Sequence, residues 1–194
     1  MRTRTTYMPM TPELRFHNLT ERRLTPADVL DRMQRFAMQD PRAAYDLVIG
    51  SDSQVHRGHT KLVTGIILHR LGRGAWACCR TVVLPRELTS VKEKLSLETS
   101  LSQEAAWCLE ELQAIETLED LLLPYVYQGA ALRTFIDIDA GTHPSKNKTS
   151  LYLQEMVERV RAMGTYAVRV KPESYGASAY ANRYTKSPAR SALG

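Results

Sequence analysis

The sequence predicts an α/β domain in which a mixed sheet of five strands is flanked by helices. Five short apolar runs have the length and β-branched content of strands: residues 45–50 (YDLVIG), 61–70 (KLVTGIILHR), 75–84 (AWACCRTVVL), 132–139 and 165–170 (TYAVRV). The first three follow one another through short joins, whereas helical patterns precede each of the last two, so hairpins and crossovers must share one sheet. At 194 residues, the chain fits a single domain that buries most of its surface.

The elements follow in order. Residues 1–24 show no periodicity and are predicted to be a basic arm or a loosely docked extension, with Arg2, Arg4, Arg15, Arg22 and Arg23 against Glu13 and Glu21. Thr25-Pro26-Ala27-Asp28 begins a helix, with Thr25 as N-cap and Pro26 at the first helical position. That helix turns Val29, Leu30, Met33 and Phe36 inward and stops near Pro41. YDLVIG is nearly continuous in apolar residues, as a strand covered on both faces requires. Leu71-Gly72-Arg73-Gly74 supplies a hairpin turn between the second and third strands. Residues 91–119 carry the longest helical pattern, residues 150–163 another, and residues 177–183 a short last helix. The domain is therefore expected over residues 25–186, an extra N-terminal helix included, with residues 187–194 as a tail.

Charge and composition exclude some classes. No apolar run approaches the roughly 20 residues that cross a bilayer, and the start lacks the apolar stretch of a secretory signal. A cytoplasmic protein with no membrane contact is expected. Cys78, Cys79 and Cys108 contain no C-x-x-C pair, and the adjacent two should face opposite sides of a strand, so they are expected as reduced, mostly buried thiols. The net charge of +5 gathers at the ends, where residues 183–194 hold Arg183, Lys186 and Arg190 without an acid. Basic ends suit a nucleic-acid partner, and solvated basic tails explain the same charge.

Acids inside apolar elements are the candidates for chemistry. Asp52 follows the first strand in Ile49-Gly50-Ser51-Asp52-Ser53-Gln54, among small residues that let a ligand approach; a turn aspartate would look the same. Glu98 falls on the stripe formed by Leu95, Ser102, Ala105, Leu109 and Leu112, where a carboxylate must be paired, protonated or bound to metal. Glu93, Glu104, Glu110 and Glu111 lie off that stripe and are expected in solvent. Asp137 and Asp139 alternate on one face of the fourth strand, about 7 Å apart, and repel unless a cation or proton intervenes. Such an oxygen-rich set suits Mg²⁺ or Mn²⁺. His56 and His59 are expected as exposed loop histidines, and His143 as a candidate proton carrier beside the fourth strand.

Three segments, Ile49–Gln54 (IGSDSQ), Phe135–Gly141 (FIDIDAG) and Lys171–Lys186 (KPESYGASAYANRYTK), resemble the YkuK family of ribonuclease H-like proteins. The resemblance spans residues 45–186 in order. It implies a ribonuclease H-like fold with an aspartate on the first strand, a glutamate on the first helix of the fold and an aspartate on the fourth strand. Asp52, Glu98 and Asp139 match these catalytic, metal-holding positions. Asp137, Ser51 and Ser102 would then support them from behind. The last position departs from the pattern: the family resembles Ala-Asp-Arg-x-Thr-Lys, whereas this chain has Asn182 in place of the acid. Asn182 offers a metal only a neutral oxygen.

The resemblance implies a divalent-metal-dependent nuclease for RNA or DNA, in which Asp52 bridges two ions about 4 Å apart. Gln54, Lys171, Arg183 and Lys186 would then contact substrate, the cations meeting phosphates. Its rival is a nucleic-acid-binding module that has lost efficient catalysis, which Asn182 and the basic ends also fit. A third possibility is a protein-partner module whose acids are structural.

Overall fold

Helix α1 (Pro26–Met38) starts on a reciprocal cap: the Asp28 backbone donates to the Thr25 hydroxyl at 3.1 Å, and Thr25 N–H donates to the Asp28 carboxylate at 2.8 Å. The computed structural model describes residues 14–141 and 150–186. Five strands follow the predicted order: β1 (Ala44–His56), β2 (His59–Arg70), β3 (Ala75–Leu84), β4 (Ala131–Gly141) and β5 (Ala167–Lys171). They assemble as β3-β2-β1-β4-β5. The β1–β2 and β2–β3 pairs are antiparallel hairpins, and β1–β4 and β4–β5 are parallel. This is the mixed α/β sheet with flanking helices that the sequence predicts.

Strand alternation divides the sheet into two faces. Tyr45, Leu47 and Ile49 of β1, with Ile136, Ile138 and Ala140 of β4, enter the main core beneath the long helices. Those helices are α2 (Val91–Glu111), α3 (Ala114–Leu122) and α4 (Ser150–Arg161), with α1 beside them. Val63 and Cys79 face the other way, against a π-turn (Gly176–Ala181) and helix α5 (Asn182–Thr185). Cys78 lies in the main core and Cys79 in this second cluster, the opposition expected of adjacent strand residues. Among the described residues, no helix is long and apolar enough to cross a membrane.

The structure corrects four sequence expectations. The first strand does not end at residue 50. Its pairing with β2 runs from Tyr45↔Arg70 to His56↔His59, so Asp52 sits in a paired strand opposite Val63. His56 and His59 are consequently strand-end residues with stacked rings, 5.0 Å between centroids, rather than loop histidines. The long helix breaks at Gln113, whose φ of 52° is left-handed, because Ala114, Ile115, Leu118 and Leu122 bury a stripe of their own. Finally, residues 14–24 are not a loose arm. Phe16 pairs with Leu24, His17 pairs with Cys79 on β3, and both apolar side chains enter the core. His143 lies outside the described residues, as do Arg2, Arg4 and Arg190.

The second face is held by one buried carboxylate. Asp137 is 2% exposed. It accepts from Arg169 Nε at 2.7 Å and Nη2 at 3.0 Å, and from Gly176 N–H at 2.6 Å. A Cβ at position 176 would stand 2.7 Å from Val48 Cγ1 and 3.0 Å from Asp137 Oδ2. Only glycine therefore lets the π-turn approach the sheet closely enough for that third hydrogen bond. Gly176→Ala should lower stability by about 1–3 kcal/mol through this overpacking. Urea unfolding checks it, and an unchanged midpoint would show that the π-turn is not held as described.

Candidate metal centre

The expected site residues gather where β1 and β4 part. Parallel pairing between these strands continues to Gly50↔Asp137, beyond which β1 is paired with β2 alone. Asp52 therefore has a strand partner on the β2 side and none on the β4 side. Asp52, Asp137 and Asp139 share the face beneath the π-turn and α5 by alternation. Ser51 and Ser53 point to the opposite face, toward α2. The Ser51 hydroxyl bonds those of Thr64 at 2.8 Å and Ser102 at 2.9 Å, a buried polar ladder that ties β1 to both β2 and α2. That ladder sets Glu98, one helical turn before Ser102, beside the same stretch of β1.

Each of the three principal acids has a different partner. The Thr185 hydroxyl donates to Asp52 Oδ2 at 2.6 Å, and the Ser53 hydroxyl donates to Glu98 Oε1 at 2.6 Å. Lys171 Nζ lies 3.0 Å from Asp139 Oδ1, an ion pair, although that buried oxygen accepts no well-aligned hydrogen bond. Burial pushes the Asp52 carboxyl above its ordinary range, against the opposing pull of Thr185, and the Asp139 charge adds to the rise. Burial likewise raises Glu98 to about 8, with the charges of Asp52 and Asp139 contributing. The acids thus lie within electrostatic reach of one another. Among the described residues, however, no three His, Cys, Asp or Glu side chains stand close enough to hold a metal ion as they are.

The remaining candidates divide. Asn182 opens α5 and is half-buried; the one hydroxyl proton of Thr185, three residues on, is shared between Asp52 at 2.6 Å and the Asn182 carbonyl at 3.0 Å. Helical spacing puts Asn182 and Thr185 on one side of α5. Lys171 pairs with Asp139 while remaining exposed to solvent. Arg183 lines a mostly apolar groove with His69, Tyr175 and Tyr180. Gln54 and Lys186 are exposed. Asp137 is fully engaged by Arg169 and Gly176, so its role is to hold the π-turn. Glu110 is half-buried with an unpartnered Oε1, and Glu93 and Glu104 pair with Arg86 and Arg80, so these are not simply solvated.

Sequence inspection missed Ser53, Thr185 and Arg169. Ser53 was legible, since it alternates with Ser51 and so faces the helix bearing Glu98. Arg169 was legible as the one charged residue within the apolar run at 165–170. Thr185 carried no signal of its own, because only folding brings it to a strand 133 residues away in sequence. His56 and Lys61 brace the same segment, through contacts with Thr185 O at 3.0 Å and Tyr184 O at 2.6 Å.

A family model described as Ribonuclease H-like matches residues 28–186. The chain is 43% identical over 171 residues to the Uncharacterized protein YkuK of Bacillus subtilis (strain 168), covering 88% of this chain and 96% of that protein. The chain belongs to the YkuK family of ribonuclease H-like proteins. No solved structure matches it significantly. Strands β1 and β4 and helix α2 carry Asp52, Asp139 and Glu98 respectively, and Asn182 lies on the segment that touches Asp52.

Glu98 makes the site's electrostatics measurable. Burial lifts its carboxyl to about 8, above the ordinary glutamate value of about 4.3. The native protein therefore binds the extra proton, and the stability this contributes is present at low pH and lost as pH rises from about 4.3 to 8. In metal-free buffer the melting temperature of wild type should fall across that interval, and Glu98→Gln should flatten the fall. Parallel pH profiles for the two proteins would show that Glu98 titrates normally.

Proposed function

We propose that the protein is a divalent-metal-dependent nuclease that hydrolyses phosphodiester bonds in RNA or DNA, acting in the cytoplasm. The observation that carries this reading is the placement of Asp52 and Asp139 on one face where β1 and β4 part, with Glu98 in electrostatic reach from the other face. The donor chemistry fits Mg²⁺ or Mn²⁺: three carboxylates supply hard oxygens, and buried Asp139 Oδ1 lacks a well-aligned hydrogen bond. Asp52, Glu98 and Asp139 would hold the metal, with Asn182 adding a neutral oxygen. A bound ion would supply Lewis acidity toward a phosphate oxygen and ionise water near neutral pH.

The chain's own residues do the rest. Thr185 orients Asp52, and Ser53 orients Glu98. Lys171 places a positive charge beside Asp139, where a substrate phosphate would meet it. A second reading, a nucleic-acid-binding module with little catalysis, is favoured by two specific observations. Lys171 competes for the Asp139 carboxylate, and Asn182 leaves the site one negative charge short.

Cleavage of labelled RNA and DNA across a Mn²⁺ titration separates the readings. Wild type is expected to be slow, to need millimolar metal and to prefer Mn²⁺ over Mg²⁺. Asp52→Asn should abolish cleavage. Asn182→Asp should raise the rate and tighten metal binding by roughly 10-fold, the lower end of what ligand-environment changes produce. Equal cleavage by wild type and Asp52→Asn would favour the binding module. An unchanged metal affinity in Asn182→Asp would remove position 182 from the site.

A further inference from the structure

The docked N-terminal segment creates a second feature on the face that carries Asp52. A groove of about 550 Å³ lies between residues 15–23 and α5, lined by Arg15, His17, Arg22, Arg23, Thr81 and Tyr184 among others. No acidic side chain lines it. Arg22 and Arg23 are exposed, and among the described residues neither forms an ion pair. Glu21, the acid next to them in sequence, is taken by Arg32 at 2.8 Å. Arg22 and Arg23 therefore bring positive charge to a groove whose lining holds no acid, which is the electrostatic footprint of a polyanion site.

Sheet register fixes where the groove lies relative to the acids. Asp52 pairs with Val63, and Val63 pairs with Thr81 on the groove floor. These three residues share one row and one face, so Thr81 is two strand spacings, about 10 Å, from Asp52. An extended nucleotide strand crosses that distance in a nucleotide or two. Rings lie along the way. His17 and Tyr184 are 6.1 Å apart between centroids, and Tyr184 and Tyr180 are 5.4 Å apart. Burial and the neighbouring charges of Arg22 and Lys61 hold His17 below its ordinary pKa, so it contributes a neutral ring. Tyr184 also directly precedes Thr185, the residue that holds Asp52.

We propose that this groove is the backbone-binding track for single-stranded nucleic acid, in which Arg22 and Arg23 take phosphates and His17 and Tyr184 offer faces to unpaired bases. The inference rests on the nucleic-acid reading above and deepens it by naming the strand state and the surface. Ring faces serve unpaired bases, because a duplex keeps its own bases stacked within the helix.

The test is fluorescence anisotropy of the full chain with labelled single-stranded and duplex oligonucleotides of the same sequence, without divalent metal, across a salt series. Point substitutions are used because Phe16 and Leu24 belong to the core, so deleting the segment would damage the fold. Arg23 has a φ of 59°, which asparagine tolerates, so the variants are Arg22→Gln alone and Arg22→Gln with Arg23→Asn. The double variant should weaken single-strand binding by about 10-fold at low salt. Its dependence of log affinity on log salt should become shallower by roughly 1.4, the value for two lost phosphate contacts on a single strand. Tyr184→Leu should weaken single-strand binding while leaving the salt slope unchanged. Unaltered affinity in both arginine variants, or duplex bound as tightly as single strands by wild type, would overturn the track. Cleavage that persists in that case would leave the nuclease reading standing. Binding lost on arginine substitution in a protein that never cleaves would leave the track standing and remove the nuclease.

Discussion

Everything on the functional face depends on the burial of Asp137. A carboxylate 2% exposed is costly unless its charge and lone pairs are satisfied, and here a guanidinium from β5 and a backbone N–H from Gly176 do so together. The same contacts join β4, β5 and the π-turn at one point. From that point the chain runs directly into α5, whose Thr185 reaches Asp52 on β1. Arg169 is shared further: its guanidinium lies 3.9 Å from Asp46 and 4.3 Å from the centre of the Tyr175 ring. A charge buried for structural reasons thus sets the position of the segment that borders the candidate centre.

The neighbouring acids are treated differently, and the difference separates support from chemistry. Asp137 receives a bidentate guanidinium and a backbone donor, which leave it stable and inert. Asp52 and Glu98 each receive one hydroxyl, too little to offset burial, so both are shifted upward. Asp139 receives an ammonium with imperfect alignment. Carboxylates left under-satisfied in a partly buried mouth are candidates for cation binding. The two basic residues of β5 show the same division, since Arg169 closes a structural pair and Lys171, on a flexible stem, holds its acid loosely.

Much of this was legible before folding. The five apolar runs, the Thr25 cap and the hairpin turn at residues 71–74 are local signals, and the structure reproduces them. Glu98 stood out because a carboxylate on an apolar stripe is physically anomalous, and Asp137 and Asp139 because alternation puts two like charges on one face. Strand ends were harder to read: Ser51, Asp52 and Ser53 look like a turn by composition, yet pairing with β2 keeps them extended. The break at Gln113 was equally hidden, because the helical pattern continues through it and only packing shows that the two stripes face different neighbours.

The sequence by itself determined the sheet, its order of strands and helices, and which acids are out of place, because these follow from periodicity and from the cost of burying charge. It could not determine which partner each acid takes. Ser53 and Glu98 are 45 residues apart, and Thr185 and Asp52 are 133 apart. Contacts at such separations are made by the sheet register and by the close approach of Gly176, neither of which is encoded locally. The groove beside Arg22 and Arg23 is of the same kind. Its charges are plain in the sequence as a basic stretch, but only the docking of Phe16 and Leu24 onto β3 turns that stretch toward the row that begins at Asp52.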